Sequence, residues 1–156
     1  MVGGCAALIL AVLFLLVKPT EQTAYRFWII CGLIGMSLLD ITHSVVDLGK
    51  NFVWLHSMAV LVGGVFFALA WFPVATENRE RLYRTMALTV ALVTIVLGTL
   101  SIFFEADIPA MTQAREVHEH HAHVFTPLAK LINFLGGGLF LVSALYFMVR
   151  YHRDQN

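Results

Sequence analysis

The sequence predicts an all-α, polytopic membrane helix bundle of five transmembrane helices, and three observations carry that reading. Hydrophobic residues make up 59% of the 156-residue chain and charged residues only 13%. Mean hydropathy is +0.79, well outside the range of soluble globular domains. Five apolar stretches reach or approach the roughly 20 residues that a bilayer core of about 30 Å demands. The formal net charge is zero, which implies no nucleic-acid partner. The lipid bilayer is the expected surrounding, with residues 1–156 as a single integral-membrane domain.

The first stretch, about 1–17, is the shortest. It has no basic leader and no small-residue cleavage signal before Lys18, so it reads as a retained span. Span two, about 27–47, ends at the tight turn Leu48-Gly49-Lys50-Asn51. Span three, about 52–72, therefore returns beside it as a close antiparallel partner. Pro73 and the charged run from Thr76 to Arg81 mark the next break, and span four covers about 85–104. The connection 105–124 is long. From Ala114 to His123 it holds no helix breaker, which predicts a short helix leading into span five, about 125–151, with Pro127 tolerated in the opening turns. Gly63-Gly64 and Gly136-Gly137-Gly138 lie at comparable depths in spans three and five, where small residues let helix backbones approach. Cys5 and Cys31 lie inside spans and read as packing residues.

Basic residues give the orientation. With alternating spans, Lys18, Arg26, Arg79, Arg81, Arg84, Arg150 and Arg153 share one side, leaving Lys50, Arg115 and Lys130 opposite. The positive-inside bias then places the N-terminus out and the C-terminus in. Trp28, Trp71, Tyr83, Tyr146 and Tyr151 fall near the inner interface and Trp54 near the outer one, as interfacial aromatics do.

The chemistry gathers at the outer side. Asp40, His43 and Asp47 are spaced three and four apart, which predicts one helix face near the outer end of span two. His56 stands about one turn into span three from the same edge. A carboxylate in a span costs a few kcal/mol, on the order of 3, unless it is paired or wetted, so Asp40 needs a partner such as His43. The outer connection adds Glu116, His118, Glu119, His120, His121 and His123. On a helix, His118 would pair with His121 and His120 with His123. Imidazoles with carboxylates suit a divalent transition metal, zinc or copper first, with Asp40, Asp47, Glu116 and Glu119 as supporting or alternative ligands. The blander readings are a polar clamp pinning spans two and three, and a solvated histidine-rich loop. Histidine also titrates near neutrality, so a proton is a further candidate signal. A haem between His43 and His56 is a minor option. The zinc-hydrolase motif is absent, because Ala122 stands where the second histidine belongs.

The run Leu38-Leu39-Asp40-Ile41-Thr42-His43, followed by Asn51-Phe52-Val53-Trp54-Leu55-His56-Ser57 and Gly63-Gly64-Val65-Phe66-Phe67-Ala68-Leu69, resembles membrane-embedded sensor regions of bacterial signalling proteins. The membrane-associated sensor domains ahead of PAS, histidine-kinase or diguanylate-cyclase modules are the family meant. The stretch His123-Val124-Phe125-Thr126-Pro127 running into Asn133-Phe134 carries a second match. The resemblance implies a detector in the bacterial inner membrane rather than an enzyme. It also implies a homodimer and a cytoplasmic signalling domain beyond Asn156. A small redox protein binding haem or metal, and a metal or proton transporter, are the rival classes.

Overall fold

The computed structural model describes residues 2–17, 25–72, 79–117 and 120–154. It is predominantly helical, with α1 (Val2–Leu16), α2 (Arg26–His43), α3 (Lys50–Leu69), α4 (Arg79–Phe103) and α5 (Pro127–Asp154). Between α4 and α5 lie a short 3₁₀ turn, Glu105–Asp107, and an antiparallel hairpin of β1 (Thr112–Val117) and β2 (His120–Phe125). Among the described residues four helices, α2 to α5, are long and apolar enough to cross a membrane, as in a multi-pass membrane protein. α1 has 15 residues, about 22 Å at the α-helical rise, which is short of a full bilayer core.

Helix α2 is the hub. It packs against α1, α3 and α4, whereas α5 packs on the far side of α3. The core around α2 combines Phe27, Ile30, Cys31, Leu33 and Ile34 with Ala11 of α1 and Tyr83, Ala87 and Val90 of α4. A second buried cluster, Leu39, Leu55 and Ala59, fills the α2–α3 seam. Burial of half of α2 explains how a helix of only moderate hydropathy holds the centre. The outward faces of α4 and α5 carry rows of exposed apolar residues, among them Leu88, Leu92, Phe134 and Leu141, as lipid contact requires.

The α3–α5 seam rests on glycine. A Cβ at Gly64 would fall 2.5 Å from the carbonyl oxygen of Gly136, and one at Gly136 would fall 2.8 Å from the Val60 backbone. Nothing larger than glycine fits this crossing without moving a helix. The expectation of close approach holds for Gly64 and Gly136. Gly137 and Gly138 meet no neighbour within 4 Å. Toward one end of the same seam, Asn133 Nδ2 donates to the fully buried Ser57 Oγ at 2.8 Å and to the Ala129 carbonyl.

Two boundary expectations are corrected. Helix α2 stops at His43 rather than at 47, because Ser44 turns its N–H and hydroxyl back onto the last carbonyls of the helix. Residues 114–117 and 120–123 are not helical but belong to the two strands of the hairpin, with Glu116 opposite His121 and Ala114 opposite His123. The hairpin leads directly into α5. Thr126 N–H donates to the Met111 carbonyl at 3.1 Å, and its hydroxyl donates to the Ala110 carbonyl and accepts from the Ala129 N–H. Thr126 is thus an N-cap, and Pro127 occupies the first helical position, where its missing N–H is harmless.

Candidate metal-binding site

The C-terminal end of α2 and the first two turns of α3 bring three ionisable side chains together. Asp40, His43 and His56 each offer one ligand atom, and these atoms lie within 4.8 Å of one another. Asp40 Oδ1 is 3.4 Å from His43 Nδ1 and 3.7 Å from His56 Nδ1. The imidazoles themselves are 5.3 Å apart between ring centroids and inclined at 44°. His43 is half-buried and its ring packs 4.3 Å from Phe52, while His56 is exposed.

Local sequence explains the convergence. Asp40 and His43 are separated by three residues on α2, and Phe52 and His56 by four on α3, so each pair shares a helix face. The buried Leu39 and Leu55 beside them hold the two helices in contact. Gly4 admits α1 against the same turn of α2, since a Cβ there would lie 3.5 Å from Asp40 Cβ and 3.2 Å from Ile41 Cγ1. On the other side, Trp54 Nε1 donates to Ser101 Oγ of α4 at 3.1 Å, and Lys50 Nζ donates to the Ala106 carbonyl at 3.3 Å. The end of the bundle that holds the cluster is therefore the end from which the hairpin emerges.

The dimensions suit a small ion. With metal–ligand bonds near 2.0–2.1 Å, the edge of a tetrahedron is about 3.3 Å, close to the 3.4 Å between Asp40 and His43 and shorter than the 3.7 Å between Asp40 and His56. Two imidazoles and a carboxylate also leave a coordination position for water or a further side chain. His43 Nδ1 has a competing use, because it lies 2.9 Å from the Asp40 carbonyl oxygen. As an N–H it donates to that carbonyl, whereas its lone pair is needed to ligate through the same atom.

The sequence-predicted residues divide into three groups. Asp40, His43 and His56 are together. Asp47 is exposed in the connection after α2, so it does not share the helix face expected of it. His118 and Glu119 lie outside the described residues, and so do the side chains of Glu116, His120, His121 and His123. The described backbone does change one expectation: His120 and His123 lie in a strand, where the period is two, so the three-residue pairing expected of them on a helix does not apply. Sequence reasoning passed over Phe52 and Gly4. The four-residue spacing from Phe52 to His56 was the available signal for the first, and nothing local marked the second.

No protein-family profile matches the chain, and no characterised protein or solved structure is significantly similar to it.

Proposed function

We propose that this chain is a transmembrane sensory domain that binds a divalent transition metal at Asp40, His43 and His56. The observation that supports it most is the convergence of one carboxylate and two imidazoles from two helices, with ligand atoms within 4.8 Å of one another. Intramembrane ionisable groups are rare and are retained for function more often than for packing. A porphyrin would need opposed imidazoles with a flat gap between them. Two rings tilted at 44°, with a carboxylate and ligand atoms within 4.8 Å of one another, favour an ion.

In this reading all five helices are embedded, the N-terminus faces out, and the site faces the outer side of a bacterial inner membrane. Basic residues support that orientation, with Arg26, Arg81, Arg84, Arg150 and Arg153 at the opposite end from the site. Zinc and copper are the ions best matched to the ligands. Histidines of the hairpin, which emerges at the same end, would complete the coordination. Metal binding would then draw the hairpin toward α2 and α3 and bias the α5 position, because Thr126 couples hairpin and helix. A cytoplasmic signalling module beyond Asn156, in a homodimer, would read that shift. The ion can move the equilibrium only through its differential affinity for the two states.

A second reading has a specific observation in its favour. The His43 Nδ1–Asp40 carbonyl distance of 2.9 Å is that of a hydrogen bond within α2 that occupies a would-be ligand atom, and His56 Nδ1 lies 3.7 Å from Asp40 Oδ1 across the seam, so the trio also suits a polar clamp between α2 and α3 that holds no ion. Elemental analysis and an absorption spectrum of the purified protein separate the readings. A stoichiometric transition metal that disappears in His43→Ala and His56→Ala, and persists in Arg79→Ala, supports the metal sensor. A metal-free protein whose stability is unchanged by zinc or copper supports the clamp, and a Soret band returns haem to first place.

A further inference from the structure

At the other end of the bundle, a depression of about 340 Å³ is lined by Tyr146, Val149, Arg150 and Arg153 on the last turns of α5. These residues recur at spacings of three and four, so the two guanidinium groups stand on one helix face above an aromatic side chain. The surroundings are those of a membrane interface. Tyr146 stacks on Trp71 at 5.2 Å and meets Phe147 at 5.6 Å, Phe147 meets Tyr25 at 5.7 Å, and Arg150 lies over the Tyr25 ring at 5.5 Å. Trp28 Nε1 donates to the Phe72 carbonyl at the same level. A belt of tyrosine and tryptophan marks the headgroup depth of a bilayer. Toward the middle of α5 from the arginines, the same side of the helix exposes Val142, Leu145 and Val149. The Trp71 indole N–H, one ring away from the depression, is buried without an acceptor among the described residues.

We propose that this depression binds the phosphate of an anionic phospholipid, with Arg150 and Arg153 as its charge partners and the exposed apolar flank of α5 against its acyl chains. Guanidinium groups hold phosphate oxygens in a fork of N–H donors, which an ammonium does not offer. A soluble phosphate would make the same contacts with the arginines and gain nothing from the apolar flank, so the geometry favours the lipid. The site is separate from the Asp40 cluster and stands or falls without it.

The test is native mass spectrometry of the full chain in mild detergent, with equal amounts of phosphatidylglycerol and phosphatidylcholine. The wild-type protein should retain phosphatidylglycerol preferentially. In Arg150→Gln/Arg153→Gln that preference should fall by roughly thirtyfold, the effect of two interfacial arginines. Lys130→Gln, at the opposite end of α5, should leave it unchanged, and Arg150→Lys/Arg153→Lys should keep part of it. Equal retention of the two lipids by the wild type overturns the proposal, as does full preference in the double glutamine variant. Loss of the preference in excess inorganic phosphate would assign the arginines to a soluble anion and also overturn it.

Discussion

Replacing Gly64 with alanine should force α3 and α5 apart. The new Cβ would lie 2.5 Å from the Gly136 carbonyl oxygen, against an ordinary contact of at least 3.4 Å. Backbone atoms on a rigid helix must therefore give way by about 0.9 Å, and overpacking of this kind costs about 1–3 kcal/mol. Alanine also gains about 1 kcal/mol of helix propensity over glycine, so comparison with wild type alone understates the clash. Gly137→Ala is the proper reference, because it brings the same propensity gain and its Cβ meets nothing within 4 Å. SDS titration in mixed micelles, followed by far-ultraviolet circular dichroism, measures the difference. Gly64→Ala should unfold more readily than Gly137→Ala by about 1–3 kcal/mol, and Gly136→Ala should behave like Gly64→Ala. Equal midpoints for Gly64→Ala and Gly137→Ala would refute the crossing. The zinc affinity of Gly64→Ala should stay at the wild-type value, since Asp40, His43 and His56 lie on the α2–α3 seam.

Three further outcomes are expected. Asn133→Ala removes the bond to Ser57 and leaves a buried hydroxyl short of a partner; the same SDS titration should register a loss of about 1 kcal/mol. Zinc binding should weaken as pH falls, because a protonated imidazole has no lone pair to offer, and binding measured at two pH values checks the direction. Joint alanine substitution of His118, His120, His121 and His123 should weaken zinc binding without abolishing it, since the proposed ligands Asp40, His43 and His56 would remain on α2 and α3; a binding isotherm identical to wild type would detach the hairpin from the site.

The helical core was legible because apolar runs of membrane length have few alternatives, and the α2–α3 pairing followed from a short connection. The pairing of Asp40 with His43 was legible from spacing alone. Joining His56 to them depended on the depth at which α3 starts, and that start at Lys50 puts His56 nearly two turns in rather than one. The end of α2 was misplaced because Val45 and Val46 prolong the apolar run, whereas Ser44 caps the carbonyls before them. The hairpin was missed for a different reason. Absence of a breaker does not make a helix, and Thr112, Val117, Val124 and Phe125 favour a strand once a partner strand is available. That partner is a non-local fact, set here by the Thr126 bonds to Ala110 and Met111. The packing order α5–α3–α2, with α1 and α4 also on α2, had no signature in the sequence beyond the paired glycines.

The central claim is that Asp40, His43 and His56 hold one metal ion between them. Calorimetric titration of zinc into the metal-stripped protein, in mild detergent, tests it most directly when wild type and His56→Ala are run side by side. The account predicts one ion per chain for wild type and a loss of at least about tenfold in affinity for His56→Ala, the scale on which groups at a metal site act. Equal stoichiometry and affinity for the two proteins would contradict it.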